Sequence, residues 1–260
     1  MRRRQLFITI SLVAFALIAF ELNSCSKDAV KPSTAQVSFR LTDAPCDYDH
    51  LYIDIEGMEI HSDSNGWESI LPFNAGVYDL LTLTNGLDTL LCTTELPEGT
   101  ISQIRLLLGD NNEIVVNGTN HDIKIPSGSQ SGLKLNLHQH LDAGTSYNIW
   151  LDFDACKSVV EKGNGQYSLK PVIRTFADST NGKLKGYVQP DSLPSYVYVI
   201  NNNDSILSIT NPDGFFMICG LDGTYDVWIN PTDTTVSDSL ISSVNVDFGE
   251  IVDLDTVNLK

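Results

Sequence analysis

The 260-residue chain is poor in the features that mark most function classes. Helical periodicity is nearly absent, which excludes helix bundles and doubly wound α/β folds. Basic residues are scarce, 16 Lys and Arg against 33 Asp and Glu, giving a net charge of -17. No basic surface tracks a phosphate backbone, so nucleic acid is not an expected partner. Beyond Phe20 no apolar run approaches the roughly 18 residues that a membrane helix needs. The five cysteines form no C-x-x-C pair, which leaves out that zinc and redox pattern. The Gly-rich stretch Gly128-Ser129-Gln130-Ser131-Gly132 puts Gln130 where a G-x-S-x-G elbow needs serine, and it lacks the G-K-[ST] ending of a phosphate loop. Its Ser127, Ser129 and Ser131 read as turn hydroxyls. No nucleophile-base pair, metal triad or cofactor fingerprint is visible, so the expected protein is not an enzyme.

Two-residue alternation dominates instead. Val37, Phe39 and Leu41 alternate with Ser38, Arg40 and Thr42; Ile149, Leu151 and Phe153 alternate with Trp150, Asp152 and Asp154. Ile104, Leu106 and Leu108, and Leu133, Leu135 and Leu137, repeat the pattern. Each predicts a strand with one buried face. Ile53 and Ile55 change parity to Met58 and Ile60, which predicts a bulge at Glu56-Gly57. Turn clusters such as Ser64-Asn65-Gly66 and Asn117-Gly118 separate the strands, the signature of a β-sandwich. A boundary falls at Asp178 to Gly182, and a second set of strands follows at Tyr196–Ile200, Phe215–Cys219, Tyr225–Ile229 and Val244–Phe248. The expected fold class is all-β with two β-sandwich domains, over residues 36–178 and 183–260.

A few residue groups have spacings that suit binding chemistry. Asp152 and Asp154 share a strand face about 7 Å apart, and Asp43 ends another strand. Together they suit a hard cation such as calcium, the one cofactor expected; the competing reading is a turn cap at Asp43 and Arg or backbone partners for the others. His138 and His140 also share a face, as the start of a zinc site or as solvent-facing strand residues. Trp150 and Trp228 each sit opposite the core side of their strands, as ligand-stacking surfaces or as interdomain contacts. Among Cys46, Cys92, Cys156 and Cys219 three pairings are open; Cys46 and Cys156 each follow a strand end, and unbridged buried thiols are an equal reading.

Residues 1–24 read as an export signal. Arg2, Arg3 and Arg4 precede an apolar run from Leu6 to Phe20 and then Leu22-Asn23-Ser24-Cys25. That ending resembles the bacterial lipobox, which implies cleavage before Cys25, its acylation, and a lipoprotein held to the membrane by a lipid anchor. Without residues 1–24 the chain keeps 13 basic and 32 acidic residues, a net charge of -19. Residues 25–35 form the tether. Within it, Ser26-Lys27-Asp28 resembles the signals that send some Gram-negative lipoproteins from the periplasmic side of the outer membrane to the cell surface.

Five segments carry a family resemblance: "RLTDAP" (Arg40 to Pro45), "LPEGTISQIRLLLGDNN" (Leu96 to Asn112), "IPSGSQSGLKLN" (Ile125 to Asn136), "LDFDACKSVV" (Leu151 to Val160) and "YSLKPVIR" (Tyr167 to Arg174). From Val37 to Arg174 the chain resembles domain of unknown function 4382, which implies an envelope lipoprotein and no particular activity. "GKLKGYVQP" (Gly182 to Pro190), "TNPDGFFMICGLDGTYDVWI" (Thr210 to Ile229) and "VNVDFGEIVDLDTVNL" (Val244 to Leu259) resemble the carboxypeptidase regulatory-like modules. These imply a transthyretin-like or immunoglobulin-like sandwich of the kind grouped with carbohydrate-binding-like folds. Asp followed by Ser or Thr at Asp88, Asp178, Asp191, Asp204, Asp233, Asp238 and Asp255 resembles an O-glycosylation acceptor of some Gram-negative lineages. The function expected is a non-catalytic outer-membrane module for binding or adhesion, with glycan as ligand. The alternative is a structural partner of another envelope protein.

Overall fold

The computed structural model describes residues 33–126, 132–163, 165–202 and 204–260. The signal segment, Cys25 and the serines of the 127–131 loop lie outside these residues. The described chain is all-β.

Thirteen strands precede the predicted boundary: β1 (Thr34–Ala44), β2 (His50–Ser62), β3 (Gly66–Ser69), β4 (Gly76–Asp79), β5 (Thr89–Pro97), β6 (Gly99–Leu108), β7 (Glu113–Val116), β8 (Thr119–Lys124), β9 (Leu133–Leu141), β10 (Ser146–Asp154), β11 (Val159–Glu161), β12 (Tyr167–Leu169) and β13 (Ile173–Ala177). One sheet runs β13-β10-β1-β5; the other runs β11-β12-β8-β7-β2-β6-β9, with β3 and β4 paired to β2. Their facing sides bury the alternating residues read from the sequence. Phe39, Leu41, Ile149, Leu151 and Phe153 come from the first sheet; Ile53, Ile55, Ile104 and Leu106 come from the second. Each of these is fully buried, and removing a Phe side chain from such a position costs about 3–5 kcal/mol. The β2–β6 register shifts between Ile55 and Gly57, which is the predicted bulge and moves Met58 and Ile60 into the same core. β1 and β10 pair in parallel, so a long connection must bring them together.

Cys46 and Cys156 form a disulfide, which ties the segment after β1 to a single helical turn at Ala155–Ser158. The Asp154 side chain caps that turn by accepting from the Lys157 amide. Cys92 and Cys219 are free thiols, and burial pushes the Cys92 pKa up to about 12.

Seven strands follow: β14 (Gly182–Gln189), β15 (Ser195–Asn201), β16 (Asp204–Ile209), β17 (Phe215–Leu221), β18 (Gly223–Pro231), β19 (Ser239–Val246) and β20 (Ile251–Asn258). A three-stranded sheet, β17-β14-β20, packs on a four-stranded one, β16-β15-β18-β19. Leu184, Phe216 and Ile218 meet Val197, Val199, Val227 and Ile229 in a core distinct from the first. The sequence placed a strand at Val244–Phe248. The strand instead ends at Val246, because Glu250 N–H closes a turn on the Asp247 carbonyl and Gly249 takes a positive φ of 70°. β16 escaped the sequence reading because its Ile206 and Leu207 are adjacent, which hides the alternation.

Candidate functional site

The outer face of β13-β10-β1-β5 carries Arg40 and Thr42 on β1, Trp150 and Asp152 on β10, and Arg174 and Phe176 on β13. Outward residues of a sandwich meet water unless something covers them. Here β16 and β17 cover part of the face, and Thr42, Asp152 and Phe176 are buried. Arg174 holds the join. Its Nε donates to Asp152 Oδ2, its Nη1 to the Gly220 carbonyl (3.1 Å) and its Nη2 to the Cys219 carbonyl (2.6 Å). A planar guanidinium suits such a fork of acceptors.

A second clasp is Asn85, in the Asn85-Gly86 turn. Its Nδ2 donates to the Ile209 carbonyl at 3.1 Å. Its Oδ1 accepts from Ser208 Oγ at 2.9 Å and from the Met217 amide at 3.2 Å. One side chain thus joins β16 and β17, one edge strand from each sheet of the second sandwich. Both turn residues have positive φ, 56° and 83°, which Asn and Gly tolerate best. Sequence reasoning missed this contact; the Asn-Gly dipeptide signals a turn but not what the turn touches.

Two adjoining cavities lie in the seam. Thr42, Asp43, Asp152, Arg174, Met217 and Cys219 are among the residues around the smaller, of about 20 Å³. Asp152, Asp154, Lys157, Arg174, Asp204 and Ser205 are among those around the larger, of about 120 Å³. The structure therefore brings Asp43, Asp152 and Asp154 into one region, with Arg174 and Lys157 among them. Lys157 Nζ contacts Asp154 Oδ2 at 3.1 Å and donates to the Ser205 carbonyl at 2.8 Å. Asp43 Oδ1 accepts from the Ala155 amide at 3.1 Å, while its Oδ2 is buried without a partner. Burial first, then the Asp152 charge, holds the Asp43 carboxyl well above the usual carboxylate range. Burial also raises Asp152, against the opposing pull of Arg174. Among the described residues, no three His, Cys, Asp or Glu side chains are already grouped as a metal site.

The two tryptophans have different surroundings. Trp150 stacks on Phe176 with ring centroids 5.5 Å apart, and its Nε1 donates to Asp88 Oδ2 at 2.9 Å. It belongs to the seam side of the sheet. Trp228 lies on the outer face of β18 and stacks on Tyr198 of β15, its cross-strand partner, at 5.2 Å. Its Nε1 donates to Asp238 Oδ2 at 2.7 Å, which fixes the ring. Tyr196 continues the row at 6.5 Å from Tyr198, and Leu240, opposite Trp228 on β19, is 60% exposed. Sequence reasoning missed the tyrosines, although Tyr196 and Tyr198 alternate with core Val197 and Val199. His138 and His140 are both exposed on β9, and His140 Nε2 lies 3.7 Å from Asp142.

Residues 34–171 match the family described as domain of unknown function DUF4382. The chain belongs to this family. The match ends just before Arg174, so the DUF4382 segment contains Asn85, Asp43 and Asp152, while the second sandwich lies beyond it. No curated protein matches the sequence. Among solved structures, the chain is similar to the Bacillus anthracis TIE protein at 11% identity and a TM-score of 0.24, covering 87% of this chain and 34% of that one. It therefore spans about a third of that protein's length. A shaft pilin SpaA mutant from Lactobacillus rhamnosus GG matches at 9% identity and a TM-score of 0.21, covering 85% and 96% of the two chains. A streptococcal ancillary pilin matches at 13% identity and 0.19, covering 88% and 63%.

Proposed function

We propose that this DUF4382 protein is a non-catalytic binding module of the bacterial cell envelope, anchored to the outer membrane through an acylated Cys25 and presenting its second sandwich to carbohydrate. The observation that carries the reading is the outward Tyr196, Tyr198 and Trp228 row. Aromatic faces stack on the apolar faces of sugar rings, and a small number of fixed polar groups sets orientation. Asn230 and Asp226 lie on the same face of β18 as Trp228, and Asp238, just before β19, already holds the Trp228 Nε1. Trp228 is held by Asp238 and Tyr198, so little side-chain freedom is lost on binding.

Binding of the full chain to a panel of envelope and dietary polysaccharides tests this. At least one polysaccharide is expected to bind, and Trp228→Ala to weaken it tenfold or more at unchanged melting temperature. Equal binding by Trp228→Ala removes this face from the function. Protease shaving of intact cells tests presentation, since loss of the chain without lysis is expected for a surface module.

The alternative, a structural partner of another envelope protein, is favoured by a different patch. Tyr187 and Phe215 pair at 5.3 Å on the three-stranded sheet, and Phe248 and Ile251 are exposed. Co-purification of a stoichiometric partner, lost on Tyr187→Ser, supports that reading over the first.

A further inference from the structure

The four-stranded sheet of the second sandwich presents aromatic rings in surroundings that lack positive charge. Residues 186–259 contain eleven Asp and Glu and no Lys, Arg or His. β15, β16, β18 and β19 lie wholly within that stretch. None of the chain's 16 basic residues therefore belongs to the sheet that carries Tyr196, Tyr198 and Trp228. Lys157 of the first sandwich reaches β16 at the Ser205 carbonyl, and its ammonium is paired with Asp154.

Acidic groups flank the rings. Asp226 and Trp228 lie two residues apart on one face of β18, and Asp226 is exposed. Its Oδ1 accepts from the Ser243 amide at 3.0 Å. Asp238, also exposed, accepts from the Trp228 Nε1 at the edge of the indole. Asp47 of the first sandwich adds a third carboxylate beside Tyr196, whose hydroxyl pKa is raised by burial first and then by the Asp47 charge. The face of an indole or phenol ring attracts a cation placed within about 6 Å of its centroid. Rings alone would stack on any sugar. Rings flanked by carboxylates, on a sheet without a base, attract an ammonium and repel a carboxylate or sulfate.

We propose that the Tyr198–Trp228 face binds glycan through a sugar that carries a free amine, with the sugar ring stacked on the aromatic row, the ammonium against the ring faces and Asp226 as its counter-charge. This rests on the carbohydrate reading above and narrows it to one class of sugar. An N-acetylated sugar keeps the stacking and loses the charge contact. Uronic, sulfated and phosphorylated glycans meet only like charge on this sheet. The net charge of -17 extends the preference beyond direct contact, because it draws cationic ligands toward the surface over about 8 Å at physiological salt.

The test is calorimetric titration of the full chain with a short glucosamine oligomer, its N-acetylated form of equal length and a galacturonate oligomer, in mildly acidic buffer that keeps the sugar amine protonated. Wild type is expected to bind the amine form about tenfold tighter than the acetylated form, and the galacturonate not at all. Trp228→Ala leaves the net charge unchanged and is expected to lose the amine form, which separates this face from the general acidity of the chain. Asp226→Asn is expected to cut the preference for the amine about threefold, while Asp122→Asn, which removes an equal charge from β8 of the first sandwich, keeps it. The comparison of the three oligomers on wild type does not depend on any variant folding. Equal binding of the amine and acetylated forms overturns this inference and leaves the carbohydrate reading standing, as does equally tight binding of an oligolysine of the same charge, which would mean that the face reads charge alone. Undiminished binding of the amine form by Trp228→Ala, or no binding of any of the three oligomers or of the polysaccharide panel, overturns both.

Discussion

At the scale of single residues, the seam contains one carboxyl group, Asp43, that burial makes reluctant to ionise. In the folded chain the Asp43 pKa is raised, so the native state holds that proton more tightly than the unfolded chain, where Asp titrates near 4. Wild-type stability is therefore lost as pH rises from about 4 through the raised value. Asn does not titrate. Asp43→Asn is expected to match or fall below wild type near pH 4 and to melt higher than wild type at pH 8. Melts at the two pH values check this, and a difference that does not grow with pH refutes it. Trp228 shows the other kind of residue-scale control, since its hydrogen bond to Asp238 and its stacking on Tyr198 together hold the ring.

At the scale of elements, the Asn85-Gly86 turn acts as a plug. The second sandwich leaves β16 and β17 as edges of separate sheets, and unpaired edges invite association. Asn85 satisfies a carbonyl on one and an amide on the other. Asn85→Ala removes these bonds and places Ala at a positive φ, with an expected cost of about 1–3 kcal/mol. The urea midpoint should fall, and protease cleavage between residues 178 and 182 should become faster. An unchanged midpoint and cleavage rate would show that the plug contributes nothing to docking. The same scale explains why β16 was hidden and why β19 ends early: an adjacent apolar pair masks alternation, and a Gly at positive φ turns the chain before Phe248.

At the scale of the whole molecule, the Cys46–Cys156 bridge spans 110 residues of sequence. A loop of that length gives an entropic stabilisation of about 4–5 kcal/mol. The Cys46→Ser/Cys156→Ser double variant is expected to melt about 10 °C lower or more, and an unchanged melting temperature would mean that the bridge carries no stability. The bridge also pins the helical turn whose Ala155 amide donates to Asp43.

The fold class and much of the first core were legible along the chain. Val37, Phe39 and Leu41, and Ile149, Leu151 and Phe153, announce their buried face through period-two alternation, and the parity change at Glu56-Gly57 announces the bulge. Each is a local property, since a strand's side chains point to opposite faces whatever it pairs with. Sequence alone thereby determined that the chain is all-β and, for the strands whose alternation shows, which face meets the core. Only the tertiary structure decided that β1 and β10 run in parallel, that Cys46 meets Cys156, and that the outward-facing Asp152 and Phe176 are covered a second time by β16 and β17. Those contacts join residues tens to more than a hundred positions apart. They arise from shape and charge matching between folded surfaces, which leaves no periodic mark on the chain.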